Sequence, residues 1–128
     1  MRVLLDTHAF IWWANDDPLL SVPAREALSE VANEIYLSSV TPWEMSIKIA
    51  LGKLTLGVPL REFVRFQVNL YGFIPLQINY DHAYRVGMLP PHHGDPFDRL
   101  LIAQAIEENL VLVTRDEKFA PYGISTLW

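Results

Sequence analysis

Short apolar runs separated by longer amphipathic stretches constrain this chain more than any other feature. Arg2–Leu5, Glu34–Ser38, Phe73–Ile78 and Leu110–Val113 have the length and aliphatic content of buried strands. Between them lie segments that read as helices. An apolar stretch follows Asp6 through Trp12 and Trp13, and Val22 to Ala32 carries Ala, Leu, Arg and Glu in helix-favouring proportions. Thr41-Pro42-Trp43-Glu44 has the pattern of an N-cap, an N1 proline and an N3 glutamate, which predicts a helix to about Leu51 stopped by Gly52. Leu60, Phe63, Val64 and Gln67 fall on one face of a helix over 60–70, and Tyr80 to Met88 reads as another. Asp95 as N-cap and Pro96 at N1 open a further helix through the apolar Leu100–Ile106. Thr114 and Glu117 supply caps for a short helix, and Gly123–Leu127 reads as a last edge strand. Parallel strands need crossovers of about a dozen residues, so the alternation predicts one α/β domain over residues 1–128. It is an α/β/α sandwich around a mostly parallel sheet of four to five strands, with its ligand site at the carboxyl ends of the strands.

Composition narrows the chemistry. The chain has 128 residues, 51% of them apolar, enough for one core. Ten Lys and Arg against fifteen Asp and Glu give a net charge of −5, which argues against coating nucleic acid by bulk positive charge while leaving room for a local basic groove. There is no cysteine, which removes disulfides, thiolate zinc sites and thiol nucleophiles. The longest apolar run, Ala9–Ala14, is far shorter than the roughly 20 residues that cross a bilayer, so the sequence reads as soluble and cytoplasmic, with no membrane partner.

The acids are placed suggestively. Asp6 ends the first strand, Glu44 and Asp98 sit in first turns of helices, and Asp116 follows the fourth strand, so all four can face one rim of the sheet. Acids in first helical turns also serve as caps and dipole partners, which is the plain alternative for Glu44 and Asp98. Asp116 reads as free of capping duty, since Thr114 and Glu117 are at hand. Carboxylates about 4 Å apart repel by roughly 4 kcal/mol at an effective dielectric of about 20, so a positive group belongs among them. Lys48, Arg99 and Arg115 are adjacent candidates. An oxygen-only ligand set suits Mg²⁺ or Mn²⁺ better, and such an ion promotes hydrolysis of a phosphodiester by water. The same three cations are the candidates for holding the substrate backbone, with Lys53, Arg61, Arg65 and Lys118 able to line the approach. Thr7 and Thr114, each beside an acid, could steady the carboxylates. His92 and His93 read as surface residues of a proline-rich loop, and the tryptophans as core or subunit contacts.

Four motifs occur in order: Leu4-Leu5-Asp6-Thr7-His8; Trp43-Glu44 leading through Ile47-Lys48 to Leu51-Gly52-Lys53-Leu54; Asp95-Pro96-Phe97-Asp98-Arg99 running on to Ala105; and Val113-Thr114-Arg115-Asp116. On these motifs the chain resembles the PIN-domain ribonucleases, in particular the toxins of VapBC-type toxin–antitoxin pairs, over nearly its whole length. The resemblance implies a PIN-like fold and a metal-dependent endoribonuclease using Mg²⁺ or Mn²⁺. It carries the family's four acids onto Asp6, Glu44, Asp98 and Asp116, with Asp95 as a rival for the third place or an auxiliary to it. It further implies RNA as substrate, a homodimer, and a cognate antitoxin whose basic tail covers the acidic groove. Two other readings of the same acids stay open: phosphoryl transfer through an aspartyl phosphate on Asp6, and a non-catalytic acidic module that binds a basic partner.

Overall fold

β1 (Arg2–Leu5) is followed by α1 (Thr7–Ala14), α2 (Val22–Ser29), β2 (Glu34–Ser38), α3 (Val40–Ala50) and α4 (Leu60–Tyr71) in a computed structural model describing residues 1–128. Then come β3 (Ile74–Leu76), α5 (Tyr80–Met88), α6 (Pro96–Glu108), β4 (Val111–Val113), a 3-10 turn (Glu117–Tyr122) and β5 (Thr126–Leu127). The five strands lie in the order β3-β2-β1-β4-β5, and every pairing is parallel. The alternation of side chains along the strands explains the layers. Val3 and Leu5 of β1 and Val113 of β4 point into one cluster with Phe10, Leu28, Met45 and Phe73. Leu4 and Leu112 point the other way, into a cluster with Val40, Leu101, Ile102 and Phe119. Both faces of the sheet are thus covered by helices, as the α/β/α expectation requires. No helix is long and apolar enough to cross a membrane.

Several elements depart from their expected boundaries, among them β5, which is confined to Thr126–Leu127 instead of starting at Gly123. α2 stops at Ser29 rather than Ala32, because Glu30 is extended, its side chain accepts from Ala32 N, and Asn33 Nδ2 donates to Ala27 O. These local bonds turn the chain into β2 instead of extending the helix. β3 is shortened to three residues around Pro75, which has no N–H for the ladder and is accommodated because β3 is an edge strand. Most consequential for the site, Thr41 is not the N-cap of α3. The helix starts at Val40 with Ser39 at its N-cap, and no side-chain cap bond forms. Val40 and Thr41 are fully buried, so core burial outweighs the capping box, and Glu44 lies beyond the first turn. The helix ends as expected: Gly52 adopts φ +72°, the left-handed geometry that favours glycine.

Candidate active site

The chain winds from β1 through β2 to β3 on one side and returns to β4 on the other, so β1 and β4 flank the point where strand order reverses. Leu5 is in register with Val113, and Asp6 N donates to Val113 O at 3.1 Å, which brings Asp6 and Thr114 out side by side at the carboxyl edge. Asp6 caps α1, its Oδ1 accepting from Ala9 N at 2.7 Å. Asp116 is itself the N-cap of the 3-10 turn, accepting from Lys118 N at 2.9 Å, while Thr114 Oγ1 accepts from Asp116 N at 3.0 Å. The expectation that Thr114 and Glu117 would leave Asp116 free of capping is therefore corrected. A carboxylate two residues from the hydroxyl completes the better cap. Asp95 caps α6, one oxygen accepting from Phe97 N at 2.8 Å and Asp98 N at 3.1 Å. Asp98 is the third residue of that helix, in its first turn.

Asp6 and Asp116 line one cleft, Asp98 meets Asp116 across His93, and Glu44 stands near enough to add repulsion to both Asp6 and Asp98. Burial pushes the Asp98 carboxyl up to about 8, with Asp95, Glu44, Asp6 and Asp116 adding repulsion. Asp6 is also raised, because burial outweighs hydrogen bonding from Thr114 and Ala9. For Asp116 burial pulls upward but loses to the Lys118 N–H and to His93, which hold the acid below its usual range. Glu44 is buried, with Oε2 2.9 Å from Lys48 Nζ and Oε1 without any partner. An unpartnered buried carboxylate oxygen costs free energy unless something positive reaches it.

His93 corrects the surface reading given to it. It is 6% exposed, its ring is edge-on to Phe119 at 5.4 Å, and Nε2 lies 2.9 Å from Asp116 Oδ2 and 3.1 Å from Asp98 Oδ2. Ligating atoms of the three residues lie within 4.8 Å of one another, where two carboxylates would repel by about 3–4 kcal/mol at a dielectric near 20. The pertinent clue was its spacing. A histidine two residues ahead of a helix cap can bond back to the cap's N–H, as His93 Nδ1 does with Asp95 N. His92, by contrast, is exposed and packs against Tyr122.

The basic candidates divide. Lys48 pairs with Glu44, and Arg115 is exposed over the Trp12 ring at 5.8 Å. Asp6, His8, Trp12, Arg115, Asp116, Glu117 and Lys118 line an open cleft of about 480 Å³. Arg99 is not part of it. Its guanidinium donates to the carbonyls of Pro90, His93, Val86 and Leu89 and to Tyr122 Oη, so it clamps the loop before α6 and is spent there. Five converging acceptors outcompete a single exposed phosphate contact. Arg61 and Arg65 line a separate groove with Pro42 and Val68 rather than the approach to the acids. Thr7 is buried against Thr41, their hydroxyls 3.4 Å apart, and its hydroxyl meets no carboxylate. A hollow of about 590 Å³ between Arg2, Asn109, Tyr122 and Ser125 contains no acid or histidine, and so lacks the means for hydrolysis.

Arg99→Ala is expected to lower unfolding free energy by about 2–4 kcal/mol, because it leaves several carbonyls without their charged donor. Arg99→Lys, lacking the fork, should recover little of that loss. Urea denaturation of both variants checks this, and a change within about 0.5 kcal/mol would refute the clamp.

The PIN domain family model matches residues 3–124. The chain is 30% identical over 119 residues to Ribonuclease VapC22 of Mycobacterium tuberculosis, covering 91% of this chain and 88% of that protein. Among solved structures, a chain of VapBC2 from Rickettsia felis bound to a DNA fragment from its promoter superimposes with a TM-score of 0.73 at 18% identity, covering 98% of this chain and 97% of that one. A chain of DNA-bound VapBC from Salmonella typhimurium gives 0.69 at 18% identity, covering 98% and 96%. These structural likenesses concern the fold.

Proposed function

The chain belongs to the PIN-domain family, and on that premise we propose that it is a divalent-cation-dependent endoribonuclease acting as the toxin of a VapBC-type toxin–antitoxin pair. The observation that carries this reading is the convergence of Asp6, Glu44, Asp98 and Asp116 on one edge of the sheet, with Asp98 raised to about 8 and Glu44 Oε1 buried and unpartnered. That cup fits Mg²⁺ or Mn²⁺: its free donors are carboxylate oxygens, and its unbalanced charge is relieved by a hard cation. When bound, the cation activates water and offsets charge on the phosphodiester.

The chain's own groups supply the rest. Asp6, Asp98 and Asp116 present the ligand oxygens, while Lys48 neutralises one oxygen of Glu44 and leaves Oε1 buried and unpaired. Capping holds Asp6 and Asp116 still, so each offers its oxygens from a fixed backbone. Thr114 steadies Asp6 and receives the Asp116 N–H, and Asp95 serves the site by starting the helix that carries Asp98. Arg115 and Lys118, exposed beside Asp116, receive the phosphates that flank the scissile bond. The antitoxin is the natural occupant of an acidic groove when RNA is absent, a basic segment entering where the cation and phosphate would otherwise lie. Ribonuclease activity accords with the name of the curated relative, and an antitoxin partner accords with the solved VapBC-5 structure from Mycobacterium tuberculosis, a member of the VapBC family of toxin–antitoxin systems. Phosphoryl transfer on Asp6 is disfavoured, since that carboxylate is 5% exposed and one oxygen is tied to Ala9.

Purified protein is expected to cut single-stranded RNA with Mg²⁺ or Mn²⁺ and to be inert in EDTA. Because water is the nucleophile, a 2′-O-methylated strand should still be cut, and no product should end in a 2′,3′-cyclic phosphate. Cyclic-phosphate products, or cleavage undiminished in EDTA, would overturn the mechanism.

A further inference from the structure

Resting on that reading, we propose that His93 is a positioning residue: its Nε2–H, bonded to Asp116 and held 3.1 Å from Asp98, fixes both carboxylates for the cation, and the ring does not ligate the ion. The backbone sets the tautomer. Asp95 N–H donates to His93 Nδ1 at 3.1 Å and occupies that lone pair. A neutral ring that accepts at Nδ1 carries its proton at Nε2. That nitrogen donates to Asp116 Oδ2 at 2.9 Å and stands 3.1 Å from Asp98 Oδ2, so it holds one acid by a hydrogen bond and the other by charge contact, and has no lone pair to offer a metal.

The ring is held from every side. His93 N donates to Tyr122 Oη at 2.7 Å, its carbonyl accepts from Arg99 at 3.3 Å, and Phe119 packs edge-on against the imidazole. Asp95 links the parts: its carboxylate starts the helix bearing Asp98, and its N–H orients the ring that faces Asp98. Asp98 and Asp116 come from different segments, and His93 is the side chain in contact with both. With that contact in place the two carboxylates meet the cation at a preset separation. Without it they splay apart and must be regathered at each binding event.

Calorimetric Mn²⁺ titration of the wild type, His93→Ala and His93→Gln tests this, together with ¹⁵N-correlated NMR of the His93 ring in Mg²⁺-saturated protein. His93→Ala is expected to weaken Mn²⁺ binding by about 10–100-fold. His93→Gln should recover most of the affinity, because its amide can still donate to both acids. The Nε2-bound proton should persist at saturating Mg²⁺. Loss of that proton would identify the ring as a ligand and overturn the proposal. Wild-type affinity in the alanine variant, or equal weakening in both variants, would reduce His93 to packing and overturn it too. If the alanine variant fails to fold, His93→Gln and the tautomer still decide. Wild-type protein that binds no Mn²⁺ and cuts no RNA would sink the nuclease reading itself, whereas failure of the His93 proposal alone leaves wild-type binding and cleavage intact.

Discussion

Asp98→Asn is expected to lower metal-dependent RNA cleavage by at least about a hundredfold and, in EDTA at pH 8, to make the protein more stable than the wild type. The two effects share one cause. Asp98 sits among Asp95, Glu44, Asp6 and Asp116, and burial with their repulsion pushes its carboxyl up to about 8. In the unfolded chain it would ionise near 3.8, so at pH 8 the metal-free fold must either keep it protonated or hold a crowded negative charge. Asparagine occupies nearly the same space, can accept from His93, and carries no charge to suppress. The stability gain should be a few kcal/mol, since each unit of displaced pKa corresponds to about 1.4 kcal/mol. Ordinary polar substitutions at partly buried sites destabilise, so the sign of the change is the informative part. Melting curves and an RNA cleavage assay on the same preparation decide it. A variant that melts below the wild type in EDTA at pH 8 would show that Asp98 is not crowded. One that cuts normally would remove Asp98 from the chemistry.

The layers and the site's location were readable because they follow from patterns the backbone must obey. β1 and β4 alternate core faces, the stretches between strands were too long for hairpins, and the register of Leu5 with Val113 delivers Asp6 to the switch point. The caps at Asp95 and Gly52 were also legible, because capping depends on a few adjacent residues. The misreadings arise where tertiary packing overrides local chemistry. Thr41 has the residue neighbourhood of a cap, but burial against Thr7 takes it into the core. Arg99 neighbours an acid in sequence, yet one step along a helix turns a side chain about 100° away, here onto the carbonyls of the preceding loop. His93 was obscured by the prolines and glycine around it, whose loop character says nothing about what the ring will meet. Its partner Asp116 comes from a different segment, and only the closed fold joins them.

The metal-free wild type is expected to lose thermal stability as pH rises from about 5 to 8, by on the order of 10 °C, and saturating Mn²⁺ should remove most of that slope. For Asp98 the folded-state carboxyl, at about 8, lies above its unfolded value of 3.8. Over that window the folded chain therefore binds more protons than the unfolded chain. Stability is full below about pH 4, falls by up to about 1.4 kcal/mol per pH unit, and reaches its floor above pH 8. Asp6, also raised, acts with the same sign. Asp116 is lowered, so its contribution is present above its unfolded value and is lost only as pH falls through a still lower folded value, outside this window. A small domain ordinarily gains stability from acid pH towards neutrality as its paired carboxylates ionise, so a downward slope singles out the crowded rim. Mn²⁺ offsets it by giving the ionised acids a partner found in the folded state alone, and that stabilisation grows with pH as protons cease to compete for the same oxygens. Asp98→Asn should reduce the metal-free slope without Mn²⁺, leaving the share that belongs to Asp6. Differential scanning calorimetry across pH 4.5–8.5, with EDTA and with Mn²⁺, separates these cases. A metal-free wild type that grows steadily more stable towards pH 8 would mean that the four acids do not burden one another, and the cup would then have no electrostatic need of a cation.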